Sequence, residues 1–284
     1  MRTRVSIFAC LLLAVIAGCS RKHAADPPVA TPSVTLNKDR AAIGSPLRIT
    51  YKFEPLVSID GEYAVFVHVL DPDGEKLWQD DHLPPVPTST WERGKPVEYA
   101  RTIFVPSYPY IGEAVIRMGL YSTSTGKRLS LKATESARQE YEVSKLTLLP
   151  RSENIFLIYR DGWHPQEIDP NDPTSEWQWT KQNGTVAFRN PKKDSTLYLQ
   201  YDARPDLFTP PQEVTVTVAG QPLATFTADA KDRALKTFPL TASQLGAGDM
   251  SEIGISVDRT FKPAGGGDIR ELGIRLFNVF VEPK

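Results

Sequence analysis

Short apolar segments that alternate with polar residues recur along the first half of the chain. Within residues 46–53, one face of the predicted strand carries large apolar side chains: Leu47, Ile49, Tyr51 and Phe53. A period of two is typical of a strand with one buried face. Residues 63–70 are apolar at nearly every position and therefore predict a strand buried on both sides. The pattern indicates further strands at residues 97–105, 111–121 and 139–148.

Turn residues separate these apolar runs, and no long helical stripe of apolar residues interrupts them. Residues 71–74 (DPDG) lie between two of the runs. The Asp73-Gly74 pair suits a hairpin because both residue types adopt positive φ. Several short strands at this spacing are typical of a sandwich, so we predict an immunoglobulin-like β-sandwich at residues 33–147.

The second half of the chain shows the same period. Three valines alternate with two threonines over residues 214–218, which predicts a strand with one solvated face. The pattern indicates strands at residues 154–159, 185–189, 196–202, 213–219, 223–227, 235–240, 253–257 and 272–281. We predict a jelly-roll-like β-sandwich at residues 148–284, and hence an all-β chain of two tandem sandwiches.

The N-terminus has the features of a targeting signal. An apolar stretch at residues 5–16 follows Arg2 and Arg4, and it has the length of a signal-peptide core rather than of a membrane span. Residues 16–19 (IAGC) resemble the lipobox of bacterial lipoproteins. That resemblance implies a signal peptide at residues 1–18 and acylation of Cys19. The alternative is an ordinary secretory signal with an incidental cysteine.

The lipobox resemblance also implies a location in the cell. Residues 19–32 are polar and contain proline, so we expect them to form a lipidated tether. Several acyl chains anchor a protein durably, which makes the lipid bilayer the expected partner of Cys19. By the same resemblance, Ser20 favours the outer membrane if the host has one.

Composition narrows the possible chemistry. The 284 residues include 33 basic and 34 acidic side chains, for a net charge of −1. A nucleic-acid binder usually shows a basic excess, so we expect no nucleic-acid partner. Cys10 and Cys19 are the only cysteines. Once the signal is removed and Cys19 is acylated, no thiol remains for a disulfide, a zinc site or a nucleophile.

Residues 161–180 hold three of the five tryptophans of the chain, Trp163, Trp177 and Trp179, close to Glu167. Their prolines exclude a long helix and indicate a stiff loop. Flat rings beside carboxylates can bind sugars, because a ring covers the apolar face of a pyranose while polar groups bind its hydroxyls. The alternative is that these rings plug the end of the core, and at least one of Trp177 and Trp179 is expected to be buried.

Asp268 and Arg270 alternate on an extended segment near the C-terminus. Two interpretations of this pair remain open. The side chains could contact a polar ligand, or they could form an ion pair that anchors the long loop around them.

The sequence offers no recognisable catalytic motif. It lacks Gly-x-Ser-x-Gly and a glycine-rich phosphate loop, and its four histidines show no metal-ligand spacing. Acidic residues at 167, 169, 172 and 176 invite a glycosidase interpretation, but their separation in space is not set by sequence. We therefore expect a protein without enzymatic activity, cofactor or metal.

Several short motifs resemble β-sandwich modules that accompany bacterial membrane glycosyltransferases and cell-envelope polysaccharide proteins. In the second half they are Gly162-Trp163 with Glu167, the WQW segment at 177–179, residues 257–263 (VDRTFKP) and residues 268–273 (DIRELG). In the first half they are residues 65–69, 91–94, 119–121 and 126–129. The chain lacks the multi-span catalytic portion of those enzymes, so the resemblance implies sandwich architecture and a polysaccharide context without transferase activity.

These observations lead to three hypotheses of function. The first is a non-enzymatic carbohydrate-binding or accessory lipoprotein of the cell envelope, with a site lined or supported by six residues: Trp163, Glu167, Trp177, Trp179, Asp268 and Arg270. The second is a structural or protein-interaction lipoprotein without a sugar site. The third, a glycan hydrolase, requires two carboxyl groups that face one cleft.

Overall fold

A computed structural model of the chain describes residues 26–284. The predicted signal peptide, Cys19 and the tether up to residue 25 lie outside the described residues. From Ala30 onward the chain is all-β and folds into two tandem β-sandwiches, as the alternation of apolar residues predicts.

The first sandwich packs a three-stranded sheet, β1-β3-β6, against a seven-stranded sheet. The larger sheet has the order β2-β10-β7-β4-β5, with β8 added to β7 and β9 added to β10. This order is immunoglobulin-like, and β2 runs parallel to β10. The strands are β1 (Ala30–Leu36), β2 (Arg40–Ala42), β3 (Pro46–Pro55), β4 (Ala64–Leu70), β5 (Lys76–Gln79), β6 (Val97–Phe104), β7 (Gly112–Tyr121), β8 (Arg128–Leu129), β9 (Glu135–Ala137) and β10 (Glu140–Leu149).

Strand alternation accounts for the first core. The four predicted side chains of β3 are all buried there: Leu47, Ile49, Tyr51 and Phe53. Strand β4 lies between β7 and β5, and most of its side chains are buried. Asp73 and Gly74 lie in the turn between β4 and β5, and Gly74 has a φ of 86°. Strand β1 begins at Ala30, so residues 30–32 belong to the sandwich rather than to the predicted tether.

The second sandwich contains two five-stranded sheets, β11-β14-β19-β16-β17 and β12-β13-β20-β15-β18. From β13 to β16, and again from β17 to β20, successive strands cross from one sheet to the other, which is the jelly-roll pattern. The strands are β11 (Leu157–Tyr159), β12 (Glu167–Asp169), β13 (Asp172–Trp179), β14 (Asn183–Arg189), β15 (Ser195–Asp202), β16 (Gln212–Val218), β17 (Gln221–Ala228), β18 (Ala234–Leu240), β19 (Met250–Val257) and β20 (Arg275–Pro283).

Helical structure in the described residues consists of three single 3₁₀ turns, Thr88–Thr90, Arg151–Glu153 and Pro205–Leu207. No helix among residues 26–284 is long and apolar enough to cross a membrane.

Contacts between the sandwiches surround Phe104 at the end of β6. Its ring lies edge to face against Tyr198 and Phe280 of the second sandwich, with ring centroids 6.4 and 6.5 Å away. Lys38 Nζ lies 2.6 Å from Glu282 Oε1, and the Tyr198 hydroxyl donates to Glu282 Oε2 at 2.8 Å. These side chains join the two units on one side of a cleft.

Candidate functional site

The Trp-rich segment is a β-hairpin rather than the stiff loop predicted from its prolines. Strand β12 pairs with β13 in antiparallel fashion, and Glu167 lies opposite Trp177. Pro170 lies in the turn that joins the two strands, and Pro165 precedes β12. Because β12 is an edge strand, prolines at its ends interrupt no inner ladder of hydrogen bonds.

Glu167 connects the hairpin to the loop that precedes β20. Its Oε2 accepts a hydrogen bond from Trp177 Nε1 at 3.1 Å, and its Oε1 accepts one from Arg270 Nη1 at 2.7 Å. The Arg270 guanidinium also donates to both oxygens of Asp268, with distances of 2.7 to 3.0 Å. Hydrogen bonds from Arg270 lower the pKa of Asp268 to about 2.

This arrangement favours one of the two interpretations of Asp268 and Arg270. Each charged group finds its partner within the protein, and the network ties the loop to the edge strand β12. Loop anchoring therefore explains the pair, and the side chains contribute to a site by holding Glu167 and, through it, Trp177.

The three tryptophans do not share one environment. Trp177 and Trp179 are both partly exposed, so the expectation that at least one would be buried is wrong. Both rings lie beside the Arg275 guanidinium, which is 5.0 Å from the Trp177 ring centroid and 5.6 Å from that of Trp179. Trp179 also packs edge to face on Phe261 at 5.6 Å.

Trp163 serves the core instead of the hairpin surface. It packs against the hydrophobic core of the second sandwich and lies edge to face on Tyr159, with ring centroids 4.7 Å apart. Its Nε1 donates to the carbonyl oxygen of Thr185 at 2.8 Å. The prediction that groups Trp163 with the other site residues therefore gains no support, because its contacts satisfy both its ring and its N–H.

The residues that surround Trp177 on the outer face of this sheet were not predicted from the sequence. Phe277 of β20 lies 6.1 Å from Trp177, centroid to centroid. The Arg233 and Arg275 guanidiniums lie 4.1 and 5.0 Å from the Phe277 ring centroid, which is cation–π geometry. Arg275 is also paired with the buried carboxylate of Asp202. Along β20, Arg275 and Phe277 lie on the face opposite to that of the buried Leu276. This alternation can be read from the sequence.

This aromatic and cationic cluster borders two cavities. The larger is a cleft of about 1450 Å³ between the two sandwiches, and the smaller, of about 220 Å³, lies on the second sandwich. Trp177, Arg233 and Phe277 line both cavities. An aromatic wall with fixed polar groups is the composition of many ligand sites.

Carboxyl groups in the cleft are already engaged by neighbouring side chains. Asp80 accepts two hydrogen bonds from Arg101, at 2.9 and 3.0 Å, and Glu176 accepts one from Gln166 at 2.5 Å. Asp80 follows β5 of the first sandwich, and Glu176 lies on β13 of the second. Among residues 26–284, no group of three or more His, Cys, Asp or Glu side chains is arranged to hold a metal ion.

No known protein family and no curated protein matches this sequence. Among solved structures, a beta-glucuronidase from Bacteroides uniformis is 10% identical, with a TM-score of 0.30 over 89% of this chain and 30% of that chain. The M60 catalytic domain with CBM51-1 and CBM51-2 of Clostridium perfringens ZmpB is 9% identical, with a TM-score of 0.24 over 84% of this chain and 34% of that chain. The chain thus spans about a third of the structures it matches, and likenesses this weak carry no argument about function.

Proposed function

We propose that this protein is a membrane-anchored lipoprotein of the cell envelope that binds carbohydrate and does not alter it chemically. The observation that carries the proposal is the partly exposed pair of rings, Trp177 and Phe277, on the wall of a large cleft. Glu167, Arg270 and Asp268 hold the first ring, and Arg275 lies against both.

The chemistry of this wall suits a sugar. The apolar C–H face of a pyranose packs on an aromatic ring, while its hydroxyls need nearby donors and acceptors. Amide side chains supply both in the cleft: Gln166, Gln178, Gln200 and Asn278. The lipobox resemblance supports the proposed anchor at Cys19 and favours the outer membrane where the host has one, which would bring the protein close to envelope polysaccharides.

Binding is tested with the full-length protein in detergent on an array of bacterial envelope polysaccharides. We expect selective binding that falls roughly two- to twelvefold in a Trp177→Ala variant, because a stacking contact of about 0.5–1.5 kcal/mol is lost. The matched control is Ile168→Ala, on the same hairpin, where the side chain is 54% exposed. It should bind like the wild-type protein.

Three results would contradict the proposal. A flat response to every polysaccharide would favour the structural or protein-interaction alternative. Release of reducing sugar from a bound glycan would show an enzyme. Retention of a Cys19→Ser variant in the membrane fraction, where we expect release to the soluble fraction, would exclude the lipid anchor.

A further inference from the structure

The cleft between the sandwiches is lined by aromatic rings from three separate parts of the chain. Trp78 belongs to β5 of the first sandwich and Trp177 to β13 of the second, and Phe156 lies in the linker, residues 150–156, between β10 and β11. Phe156 is 79% exposed and packs in neither core. A ligand that fills this cleft would therefore meet rings from the first sandwich, the linker and the second sandwich.

Trp78 has a second feature that points to a ligand. Its Nε1 is buried and finds no hydrogen-bond acceptor among residues 26–284. An indole N–H can only donate, and buried donors in proteins are nearly always paired. The atom is covered in this structure, so a hydroxyl group in the cleft becomes its acceptor only when the indole turns toward the ligand.

The remaining lining favours a ligand rich in hydroxyl groups over a strongly charged one. Arg101 is paired with Asp80, so this charge is compensated inside the protein. Arg151 and Arg233 are positive and Glu176 is negative, so the lining carries only a small net charge. Amide side chains come from both sandwiches and the linker: Gln79, Asn154, Gln166, Gln178, Gln200 and Asn278. Amides donate and accept at once, as sugar hydroxyls require.

The size of the cleft indicates how much of a glycan it holds. Its volume of about 1450 Å³ exceeds the roughly 300–1,000 Å³ of sites for small molecules. A single sugar would leave most of the lining without contact. A segment of several sugars would reach both walls.

We propose that the cleft binds an oligosaccharide segment several sugars long. The first sandwich and the linker contact this segment as much as the second sandwich does. This inference rests on the proposed carbohydrate-binding function. Trp177 and Phe277 contact one part of the segment, and Phe156 and Trp78 contact sugars further along it. Affinity therefore grows with glycan length until the segment spans the cleft.

The test uses ladders of one to six sugars built from β-1,4-linked glucose, N-acetylglucosamine and mannuronic acid, with calorimetric titration of the full-length protein. We expect affinity to rise with length in at least one of the two uncharged ladders. Phe156→Ala should weaken the hexasaccharide about fivefold and leave the disaccharide unchanged, because one stacking contact is lost only in the longer ligand. Trp177→Ala should weaken both.

Two further variants keep the interpretation clear. Ile269→Ala removes an equally exposed apolar side chain, 83% exposed, on the loop before β20, and should bind every oligomer like the wild type. Trp78→Phe keeps a ring but removes the N–H, and we expect it to weaken the hexasaccharide alone. Since Phe156 is exposed, its substitution should leave the melting temperature unchanged.

The outcomes separate this inference from the proposed function. No binding of any oligomer in any ladder overturns both. Two results overturn only the inference that the ligand spans the two sandwiches. One is equal affinity for one and six sugars. The other is wild-type binding by both Phe156→Ala and Trp78→Phe together with weakened binding by Trp177→Ala. Hexasaccharide binding lost equally in Ile269→Ala would also overturn it.

Discussion

Arg275 neutralises a carboxylate that water scarcely reaches. Asp202 is 4% exposed, and its oxygens accept from the Arg275 guanidinium, with Nε to Oδ1 at 2.8 Å. The same guanidinium lies beside Trp177, Trp179 and Phe277. One arginine therefore both compensates a buried charge and sets the spacing of three rings.

Replacing Arg275 with methionine should destabilise the second sandwich by roughly 2–4 kcal/mol, since removing one partner leaves a buried charge uncompensated. This loss of stability is smaller than for a fully buried ion pair because Arg275 itself is partly exposed. Urea unfolding measures the change. Combining Arg275→Met with Asp202→Leu should recover part of the loss, and a double variant less stable than the single one would contradict this account.

Asp268 gives the loop before β20 a dependence on pH. Its pKa is lowered to about 2 from 3.8, first by hydrogen bonds from the Arg270 guanidinium and then by the Arg270 backbone N–H. A lowered folded-state pKa means that the contact stabilises the fold above pH 3.8. That stabilisation is lost as pH falls through about 2.

The Arg270 amide reports this titration directly because it donates to Asp268 Oδ1 at 3.0 Å. We expect its NMR chemical shift to change with a midpoint near pH 2. In an Asp268→Asn variant, this change in the Arg270 chemical shift with pH should be absent. A wild-type midpoint at the ordinary value of 3.8 would show that the pair does not form in solution.

At the scale of elements, Gly162 fixes how the hairpin segment leaves β11. Its φ is 84°, and a Cβ at this position would overlap the carbonyl oxygen of Asn183. Both the backbone conformation and the close approach to β14 require glycine. This contact also sets the position of Trp163, whose ring lies over Gly184.

Gly162→Ala should lower the free energy of unfolding by about 2–4 kcal/mol, because backbone must move to accept the methyl group. Gly220→Ala is the matched control. Its φ is 75° in the turn between β16 and β17, and its surroundings are open, so we expect a loss near 1 kcal/mol. Thermal unfolding compares the stability of the two variants. Equal losses would mean that the positive φ alone, and not the contact with Asn183, explains the need for glycine at position 162.

The strands that could be predicted from the sequence are those in which apolar and polar residues alternate within the strand itself. The alternation at β3 and β16 puts Leu47, Phe53 and Val216 in the cores as expected. The hairpin of β12 and β13 was missed because prolines favour loops in a local pattern, whereas an edge strand tolerates them at its ends. Two residues at the end of β13, Gln178 and Trp179, also pair with β20, far along the chain, and no local pattern shows this contact.

The candidate site was predictable in part for the same reason. Trp177 and Glu167 are close in sequence, and composition alone marks that segment. Phe277, Arg233 and Trp78 join them only through sheet register and the placement of the two sandwiches, which no short stretch of sequence encodes. The division of roles likewise depends on position in the fold, since Trp177 and Trp179 lie on β13 whereas Trp163 lies between β11 and β12.

At the scale of the whole molecule, Phe104 holds the two sandwiches at the border of the cleft. Its ring packs on Tyr198 and Phe280, and the Lys38–Glu282 ion pair lies next to it. Aromatic contacts at such a junction are stronger than a surface ion pair, which is worth about 0–1 kcal/mol. The relative position of the walls should therefore depend mainly on this ring.

Phe104→Ala should cost about 1–3 kcal/mol, less than the loss of a fully buried phenylalanine, because the side chain is half-buried. Calorimetry should then show the two sandwiches melting further apart than in the wild-type protein. Lys38→Ala should change the profile by no more than about 1 kcal/mol. A larger effect from Lys38→Ala than from Phe104→Ala would assign the junction to the ion pair.

Strand β1 begins at Ala30, and this start has a consequence for where the protein can work. Ten residues, 20–29, lie between Cys19 and that strand. At about 3.5 Å per residue over the eleven steps from Cys19 to Ala30, even a fully extended segment reaches only about 40 Å. A lipid anchor at Cys19 would therefore hold the start of the first sandwich within about 40 Å of the bilayer surface, so that the cleft samples polymers that lie close to the membrane.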